Sequence, residues 1–147
     1  VQHTIQYFAE VNKNFDAVCL LQPTCPLRTA QHIKEAVVVF EKGGYDSVIS
    51  VLPVPHKYNP HWVFVENRDG LGLFSGEKQP IARRQDLPKA YIREGSIYIF
   101  RTETIQRYHS IYGEKIGHYE VMDRTINIDT MEDFKEAQEF LKSLEIR

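Results

Sequence analysis

The sequence predicts an α/β fold, in which helices pack against a sheet of buried strands. The first observation is the unbroken apolar run Ala17–Leu21, which turn residues bound on both sides. Such a run is typical of a strand buried on both faces of a parallel sheet. The second observation is that a helical pattern and another apolar strand follow it, with short loops between them. Strand–helix–strand units of this kind produce parallel strands. A chain of 147 residues can bury the core of one domain.

The chain opens on a helical pattern. Apolar residues recur on one helical face through the first twelve positions, at Val1, Ile5, Phe8 and Val11. No capping residue precedes them, and the first residue is not a methionine. We therefore expect the chain to be part of a longer protein, or a processed or truncated form of one.

The segment from Ala17 to Leu52 alternates between strand and helix signals. After the first strand, two prolines lie in the loop Gln22–Pro26, and proline cannot continue a sheet ladder. Thr29 is a suitable N-cap for a helix that ends at Gly43–Gly44. The apolar residues of Ser47–Leu52 then predict the second strand.

Residues 56–89 differ from the α/β pattern on either side of them. Trp62–Val65 predicts a short strand, Asn67–Gly70 a turn, and Leu71–Phe74 a strand that pairs back as a hairpin. Inserted segments of this kind often serve as lids or as dimer arms.

The remainder of the chain returns to the α/β pattern. It predicts a buried strand at Ile97–Phe100 after Gly95–Ser96, a short helix at Thr102–Tyr108 and a strand at Ile116–Met122. We expect a further short strand at Ile126–Asp129. Thr130 then begins the last helix, with Asp133 completing a capping box.

Composition excludes several classes of protein. The net charge of −2 offers no basic patch for nucleic acid. No apolar run approaches the roughly 20 residues that a membrane-spanning helix needs. Cys19 is expected inside the first strand and Cys25 in the loop after it. Two cysteines without metal-ligand spacing predict a reducing cytoplasm, and the six histidines form no metal-ligand pattern, so we interpret most of them as surface or structural residues.

Polar side chains follow the predicted strands in three clusters. The clusters are Gln22, Thr24 and Arg28; Arg83, Arg84, Gln85 and Asp86; and Asn127 with Asp129. Ligands of open α/β sheets bind at the carboxyl ends of strands. Arginine binds carboxylates and phosphates with two hydrogen bonds, and one carboxylate beside phosphates is the usual way to hold Mg²⁺. The pattern therefore indicates a polyanionic substrate and a phosphoryl or nucleotidyl transfer.

Each cluster also has a purely structural interpretation. The first is equally consistent with a proline-stiffened connection that carries solvated side chains. Arg83 and Arg84 fit a solvated turn, and Asp129 fits a residue at a helix start, where aspartate is favoured. Gly95 removes a side chain at a point where a substrate could approach the backbone closely.

Five motifs in one order resemble those of the acylneuraminate cytidylyltransferases, the CMP-sialic acid synthetases. They are Leu20–Arg28, Gly44–Val51, Arg83–Asp86, Gly95–Phe100 and Ile126–Thr130. Each motif is only moderately specific, but together they extend over nearly the whole chain.

The resemblance implies a three-layer, nucleotidyltransferase-like (Rossmann-like) mixed sheet with an inserted β-hairpin dimerisation arm. Residues 1–147 would form a single partial domain, with the arm at about residues 56–89. Family members join CTP to a sialic-type nonulosonic acid, using Mg²⁺, and release the CMP-sugar and pyrophosphate. The expected partners are thus an acidic sugar and a second copy of the chain, in a homodimer or a higher oligomer.

The resemblance also assigns roles to individual residues. Arg84, facing the sugar carboxylate, and Asp129, holding the metal, would be the catalytic residues, and Asn127 would be a second metal ligand. The substrate-binding residues would be Gln22, Thr24, Arg28, Arg83, Gln85 and Gly95.

Four positions depart from the family pattern. Cys25 replaces a serine and weakens hydrogen bonding, while Asn127 replaces an aspartate and brings no charge to a metal. Glu94 stands where the family usually has asparagine. An arginine of the family is displaced by one position, so that Ile92 takes its place and Arg93 follows.

The largest departure is in the nucleotide-binding part. The family begins with a strand and a basic, glycine-rich loop that wraps the CTP phosphates, and the eight glycines here are scattered. We therefore expect the N-terminal nucleotide-binding part to be missing and the chain alone to be inactive, with CTP a partner only if that part is supplied. The alternatives are a non-catalytic module that binds acidic sugars or another subunit, and a nucleotidyltransferase for another class of sugar.

Overall fold

The computed structural model describes residues 1–145 and has a mixed α/β architecture. The helices are α1 (Gln2–Glu10), α2 (Ala30–Gly43), α3 (Thr102–Tyr108) and α4 (Met131–Glu145). The strands are β1 (Ala17–Leu21), β2 (Ser47–Pro53), β3 (Phe64–Asn67), β4 (Gly70–Leu73), β5 (Tyr91–Arg101) and β6 (Ile116–Glu120). Within the described residues, no helix combines the length and the apolar character needed to cross a membrane.

Four strands form a mixed sheet in the order β1-β5-β2-β6. β1 pairs with β5 in antiparallel register, with Ala17 opposite Arg101 and Leu21 opposite Ile97. β2 and β6 are parallel, and Ser47 lies opposite Ile116. The α/β fold class is confirmed, and the sheet contains both parallel and antiparallel pairs.

The prediction that β1 is a fully buried strand of a parallel sheet was wrong. β1 lies at the edge of the sheet, its partner β5 is antiparallel, and its middle residue Cys19 is exposed. An apolar run indicates that its side chains tend to be buried, but it does not indicate how many strands lie beside it. Two grooves, of about 440 Å³ and 390 Å³, flank the open edge on its two faces.

The burial of the second cysteine also differs from the expectation for a loop residue. Cys25 is only 4% exposed. The segment before α4 covers it, because the Ile128 N–H donates to the Thr24 carbonyl over 2.8 Å. The two cysteines therefore exchange the environments that their positions in the sequence predict.

Helices cover both faces of the sheet. On one face α2 contributes Ala36 and Phe40 to a cluster with strand residues Val48, Ile97 and Ile99. The other face carries a second cluster, which consists of Tyr98, Phe100 and Ile105 with the partly buried Ile5, Val18, Leu20, Ile49 and Ile111. Alternate residues of β5 point into opposite clusters, as the two-residue period of a strand requires.

The ends of α2 agree with the sequence prediction. Thr29 Oγ1 accepts from the His32 N–H over 3.2 Å, and the Thr29 N–H donates to His32 Nδ1 over 3.3 Å. Gly44 ends the helix in the left-handed region, at φ +56°, where a residue with a Cβ is disfavoured.

Residues Leu52–Ile92 form a separate compact unit. In it β3 and β4 pair as the predicted antiparallel hairpin, with Phe64 opposite Leu73 and Asn67 opposite Gly70. The hairpin begins later than predicted because Pro60–Trp62 forms a short 3₁₀ turn.

The predicted short strand at Ile126–Asp129 is not a strand. The Ile128 bond to Thr24 is a single bridge, and no ladder of hydrogen bonds forms on either side of it within residues 1–145. The capping box that follows is confirmed: the Asp133 N–H donates to Thr130 Oγ1 over 3.2 Å, and the Thr130 N–H donates to Asp133 Oδ2 over 2.7 Å.

Candidate functional site

Arg28 fixes the loop that follows β1. Its Nη1 donates to the Gln22 carbonyl over 2.8 Å and to the Ser96 carbonyl over 3.0 Å. The guanidinium thus ties the two ends of the loop together and ties the loop to β5. The Gln22 side chain is exposed, and Thr24 is partly buried.

The start of the buried part of β5 adds polar groups to the same place. The Ser96 N–H donates to Glu94 Oε2 over 2.9 Å, and the Ser96 hydroxyl donates to the Ser50 hydroxyl over 3.4 Å. Gly95 has φ +99°, and a Cβ there would meet only the Tyr98 hydroxyl, at 3.7 Å. Its backbone conformation therefore favours glycine, and the expected close approach to its backbone stays a prediction.

A chain of side-chain hydrogen bonds joins the loop to the segment before α4. Cys25 Sγ donates to Asn127 Oδ1 over 3.4 Å, and Asn127 Nδ2 donates to Asp129 Oδ2 over 2.6 Å. Burial and the nearby Glu94 carboxylate raise the pKa of the Cys25 thiol, so that sulfur keeps its proton at neutral pH. Two of the three polar clusters that the sequence singled out, together with Gly95, therefore lie in one region of the molecule.

The possible metal ligands in this region are Asp129 and Asn127, and both are exposed. In the described residues, no three or more histidine, cysteine and acidic side chains are grouped as a metal site would require. Magnesium is commonly held by one or two carboxylates while waters and substrate phosphates complete its shell. Asp129 fits that mode of binding, and the assignment of both residues as ligands stays a prediction.

The third polar cluster belongs to the separate unit Leu52–Ile92. Arg84–Asp86 forms one turn of 3₁₀ helix, and Arg83 Nε donates to Asp86 Oδ2 over 2.8 Å. Gln85 is exposed. Arg84 is also exposed and makes no ion pair within residues 1–145, so its five N–H donors are available to an anion.

Sequence reasoning missed a buried histidine next to this region. His32 Nε2 lies 2.8 Å from Asp123 Oδ2, and His32 Nδ1 accepts the Thr29 N–H. The second contact places the ring proton on Nε2, which donates to Asp123. The spacing from Thr29 to His32 was the available signal, since it matches that of a capping box with histidine in place of glutamate.

Several of the known proteins similar to this chain carry the names of cytidylyltransferases or CMP-sugar synthases. The N-acylneuraminate cytidylyltransferase of Oncorhynchus mykiss is 31% identical over 139 residues, which are 92% of this chain and 31% of the relative. The CMP-N,N'-diacetyllegionaminic acid synthase of Campylobacter jejuni is 35% identical over 96 residues, 64% of this chain and 40% of the relative. The chain belongs to the acylneuraminate cytidylyltransferase family.

A further relative is the post-translational flagellin modification protein B of Campylobacter coli. It is 29% identical over 130 residues, 87% of this chain and 54% of the relative. The chain thus spans about a third to a half of the length of these relatives. No family model matches the chain.

Two departures from the cytidylyltransferase pattern are in direct contact. Cys25, where the family usually has serine, donates to Asn127, where the family usually has aspartate. An asparagine here can accept from the thiol and also donate to Asp129. An aspartate would present two negative groups to each other across the 2.6 Å contact.

Proposed function

We propose that this chain provides the sugar-binding and metal-binding side of an enzyme that transfers CMP from CTP to a sialic-type nonulosonic acid. The observation that carries the proposal is the contact between two family motifs. Loop 22–28 and segment 126–130 are distant in sequence, and the Cys25–Asn127–Asp129 hydrogen bonds bring them together at the end of β1. Relatives over most of the chain carry the names of enzymes that synthesise CMP-sugars.

In the proposed reaction, a hydroxyl of the sugar attacks the α-phosphorus of CTP. A new P–O bond forms, the bond to the β-phosphate oxygen breaks, and pyrophosphate leaves. Asp129, with Asn127 beside it, would hold Mg²⁺, which when bound offsets charge on the phosphates. Arg84 would bind the sugar carboxylate through two parallel hydrogen bonds, with Arg83 and Gln85 near it in the chain.

The loop after β1 supplies the sugar side in this proposal. The exposed Gln22 amide can donate to and accept from sugar hydroxyls. Thr24 and Arg28 hold the loop backbone through the contacts described above. The nucleotidyltransferase-like arrangement of the sheet belongs to the same proposal.

We also propose that the hairpin β3–β4 is an arm that joins two copies of the chain. Three of its large apolar side chains are at least half exposed: Phe64 at 50%, Leu71 at 72% and Phe74 at 65%. Apolar groups grouped on one exposed hairpin are typical of an interaction surface. The expected product is a homodimer.

The cytoplasm is the proposed compartment. Cys19 and Cys25 are both free thiols, and Cys19 is exposed. Exposed thiols persist in reducing compartments.

A second candidate is a module that binds an acidic sugar, or another subunit, without turnover. The observation in its favour is the scatter of the eight glycines, none of which lies in a basic, glycine-rich loop after a strand. Phosphates of a nucleotide usually need such a loop.

The test measures sugar binding and product formation on the same preparations. N-acetylneuraminic acid is titrated into the chain by calorimetry, and CMP-sugar is then measured after incubation with CTP and Mg²⁺. Asp129→Ala is the variant that should lose turnover while it retains the sugar. The wild-type chain alone should bind the sugar without forming CMP-sugar, and CMP-sugar should form once the nucleotide-binding part of a relative is supplied.

The other outcomes separate the two candidates. Sugar binding with no CMP-sugar formation even when the nucleotide-binding part is supplied supports the module and contradicts a role in transfer. An absence of both sugar binding and turnover overturns both candidates.

A further inference from the structure

We propose that Cys25 and Asn127 are positioning residues for Asp129, and that Asn127 itself is not a metal ligand. The inference rests on the proposed function, because it concerns the residues that would hold the metal. It differs from the sequence prediction, which placed both Asn127 and Asp129 on the cation.

The orientation of the Asn127 amide follows from its contact with Asp129. The amide atom nearest the carboxylate lies 2.6 Å from Asp129 Oδ2. An oxygen at that distance would face another acceptor without a proton between them, whereas nitrogen donates a charge-assisted hydrogen bond. The amide nitrogen must therefore face Asp129, and the amide oxygen must face away from it.

The opposite end of the amide is held by the thiol. Cys25 Sγ lies 3.4 Å from Asn127 Oδ1, a distance suited to an S–H donor. Cys25 is only 4% exposed, so water competes little for the same acceptor. The thiol consequently favours the orientation in which the amide oxygen faces away from the cation side.

The Asp129 carboxylate is then fixed on one side and open on the other. Oδ2 accepts from Asn127 Nδ2, while the Asp129 N–H donates to Asp133 Oδ2 over 3.0 Å. Oδ1 is the oxygen that remains for a cation. One oriented carboxylate oxygen suits a cation that a nucleotide brings with it on its phosphates.

The first test observes the Asn127 amide directly and needs no metal. The side-chain N–H signals of ¹⁵N-labelled chain are recorded by NMR and assigned by their loss in Asn127→Asp. In wild type, one proton should be shifted downfield and exchange slowly. Cys25→Ala should remove both features, and Cys25→Ser, which restores a donor, should retain them.

Cys19→Ala is the matched control, since it removes the other thiol from an exposed site, and thermal unfolding checks that each variant folds. Cys25→Ala signals identical to those of wild type would overturn the positioning role of the thiol. Loss of the signals in Cys25→Ser as well as in Cys25→Ala would overturn the donor role.

A second test separates this inference from the proposed metal site. Mn²⁺ is titrated into each variant without CTP, because CTP would itself chelate the ion, and free Mn²⁺ is followed by electron paramagnetic resonance. Cys25→Ala should weaken Mn²⁺ binding about tenfold, as the loss of other outer-shell partners does, and Cys25→Ser should restore it. Asp129→Ala with unchanged Mn²⁺ affinity would overturn the metal site, whereas unchanged affinity in Cys25→Ala alone would overturn only the positioning role.

Discussion

At the scale of single residues, the three arginines of the predicted substrate-binding set divide into two that are already bonded and one that has no ion pair in the part of the chain that the structure describes. Arg28 gives its N–H groups to two backbone carbonyls, and Arg83 is paired with Asp86. Arg84, next to Arg83 in the chain, has no ion pair within the described residues. The N–H donors of Arg84 have no ion-pair partner among residues 1–145 to give up, so Arg84 is the better candidate for binding a carboxylate.

We predict that Arg84→Ala weakens binding of N-acetylneuraminic acid by about tenfold to a hundredfold. This is the range for loss of a charge-assisted hydrogen-bonded pair of about 1.5–3 kcal/mol. Calorimetric titration measures the effect. Arg83→Ala is the matched control and should change the affinity less than threefold, or about 0.6 kcal/mol, because Arg83 already has a partner. A larger effect of Arg83→Ala than of Arg84→Ala would reverse the assignment.

The sequence indicated which segments would meet at the candidate site, but it did not indicate how buried their residues are. The loop after β1 does meet segment 126–130, through the bond from Cys25 to Asn127 and the bond from Ile128 to Thr24. The Cys19 and Cys25 environments were reversed, since burial depends on which distant segment covers a residue. The contact of Cys25 with Asn127 had no local signal, because it joins two separate motifs.

At the scale of elements, β6 and α2 are linked by a bond between side chains. The Tyr119 hydroxyl donates to Glu35 Oε2 over 2.7 Å. This bond, with a second one from Gln31, lowers the pKa of Glu35 below its ordinary value of 4.5. Burial and the Glu35 carboxylate raise the pKa of Tyr119 well above its ordinary value. The pair therefore favours an ionised glutamate and a protonated tyrosine in the folded state.

We predict a pH-dependent contribution of this pair to stability. A carboxyl with a lowered pKa in the folded state stabilises the fold above its unfolded pKa, and the contribution is lost as pH falls through the lower folded pKa. The difference in unfolding free energy between wild type and Tyr119→Phe should thus be constant near neutral pH and shrink below pH 4.5. Urea denaturation across this range measures it.

Glu35→Gln is the control for that prediction, since it keeps the size of the side chain and removes its ionisation. The acid-dependent step should be absent when Tyr119→Phe is made in the Glu35→Gln background. A difference that stays constant to far below pH 4.5 would contradict the role of Glu35 ionisation.

Elements whose ends carry capping or turn residues were predicted well, whereas an element that depends on a neighbouring strand was not. The N-cap Thr29 and the terminal glycine placed α2, and the turn at Asn67–Gly70 placed the hairpin. The segment Ile126–Asp129 has the composition of a strand but no strand beside it to form a ladder. Sequence pattern measures the preference of a segment, while pairing depends on the rest of the fold.

At the scale of the whole molecule, the open edge of β1 is the feature with consequences for assembly. Its residues Ala17–Leu21 carry no charge and no proline, and apolar grooves of about 440 Å³ and 390 Å³ lie beside it. Edge strands that lack charged residues and proline pair readily with other chains.

We predict that Cys19→Lys reduces higher-order association of the chain at high concentration. The side chain of Cys19 is exposed, so a lysine there places a charge on the edge without entering the core. Sedimentation velocity over a concentration series measures the change. Cys19→Ser separates the effect of charge from loss of the thiol, and association equal to that of wild type in Cys19→Lys would exclude this edge as the route.

The contact between Cys25 and Asn127 also bears on the order of folding. It joins residues 102 positions apart, and the entropy of closing a loop of that length opposes its formation until other contacts have shortened the path. During synthesis the ribosome must release Asn127 before the contact can form, when β1, α2 and β5 are already outside. The candidate site is thus completed late, and its hydrogen bonds would serve as a reporter that the earlier elements have reached their native arrangement.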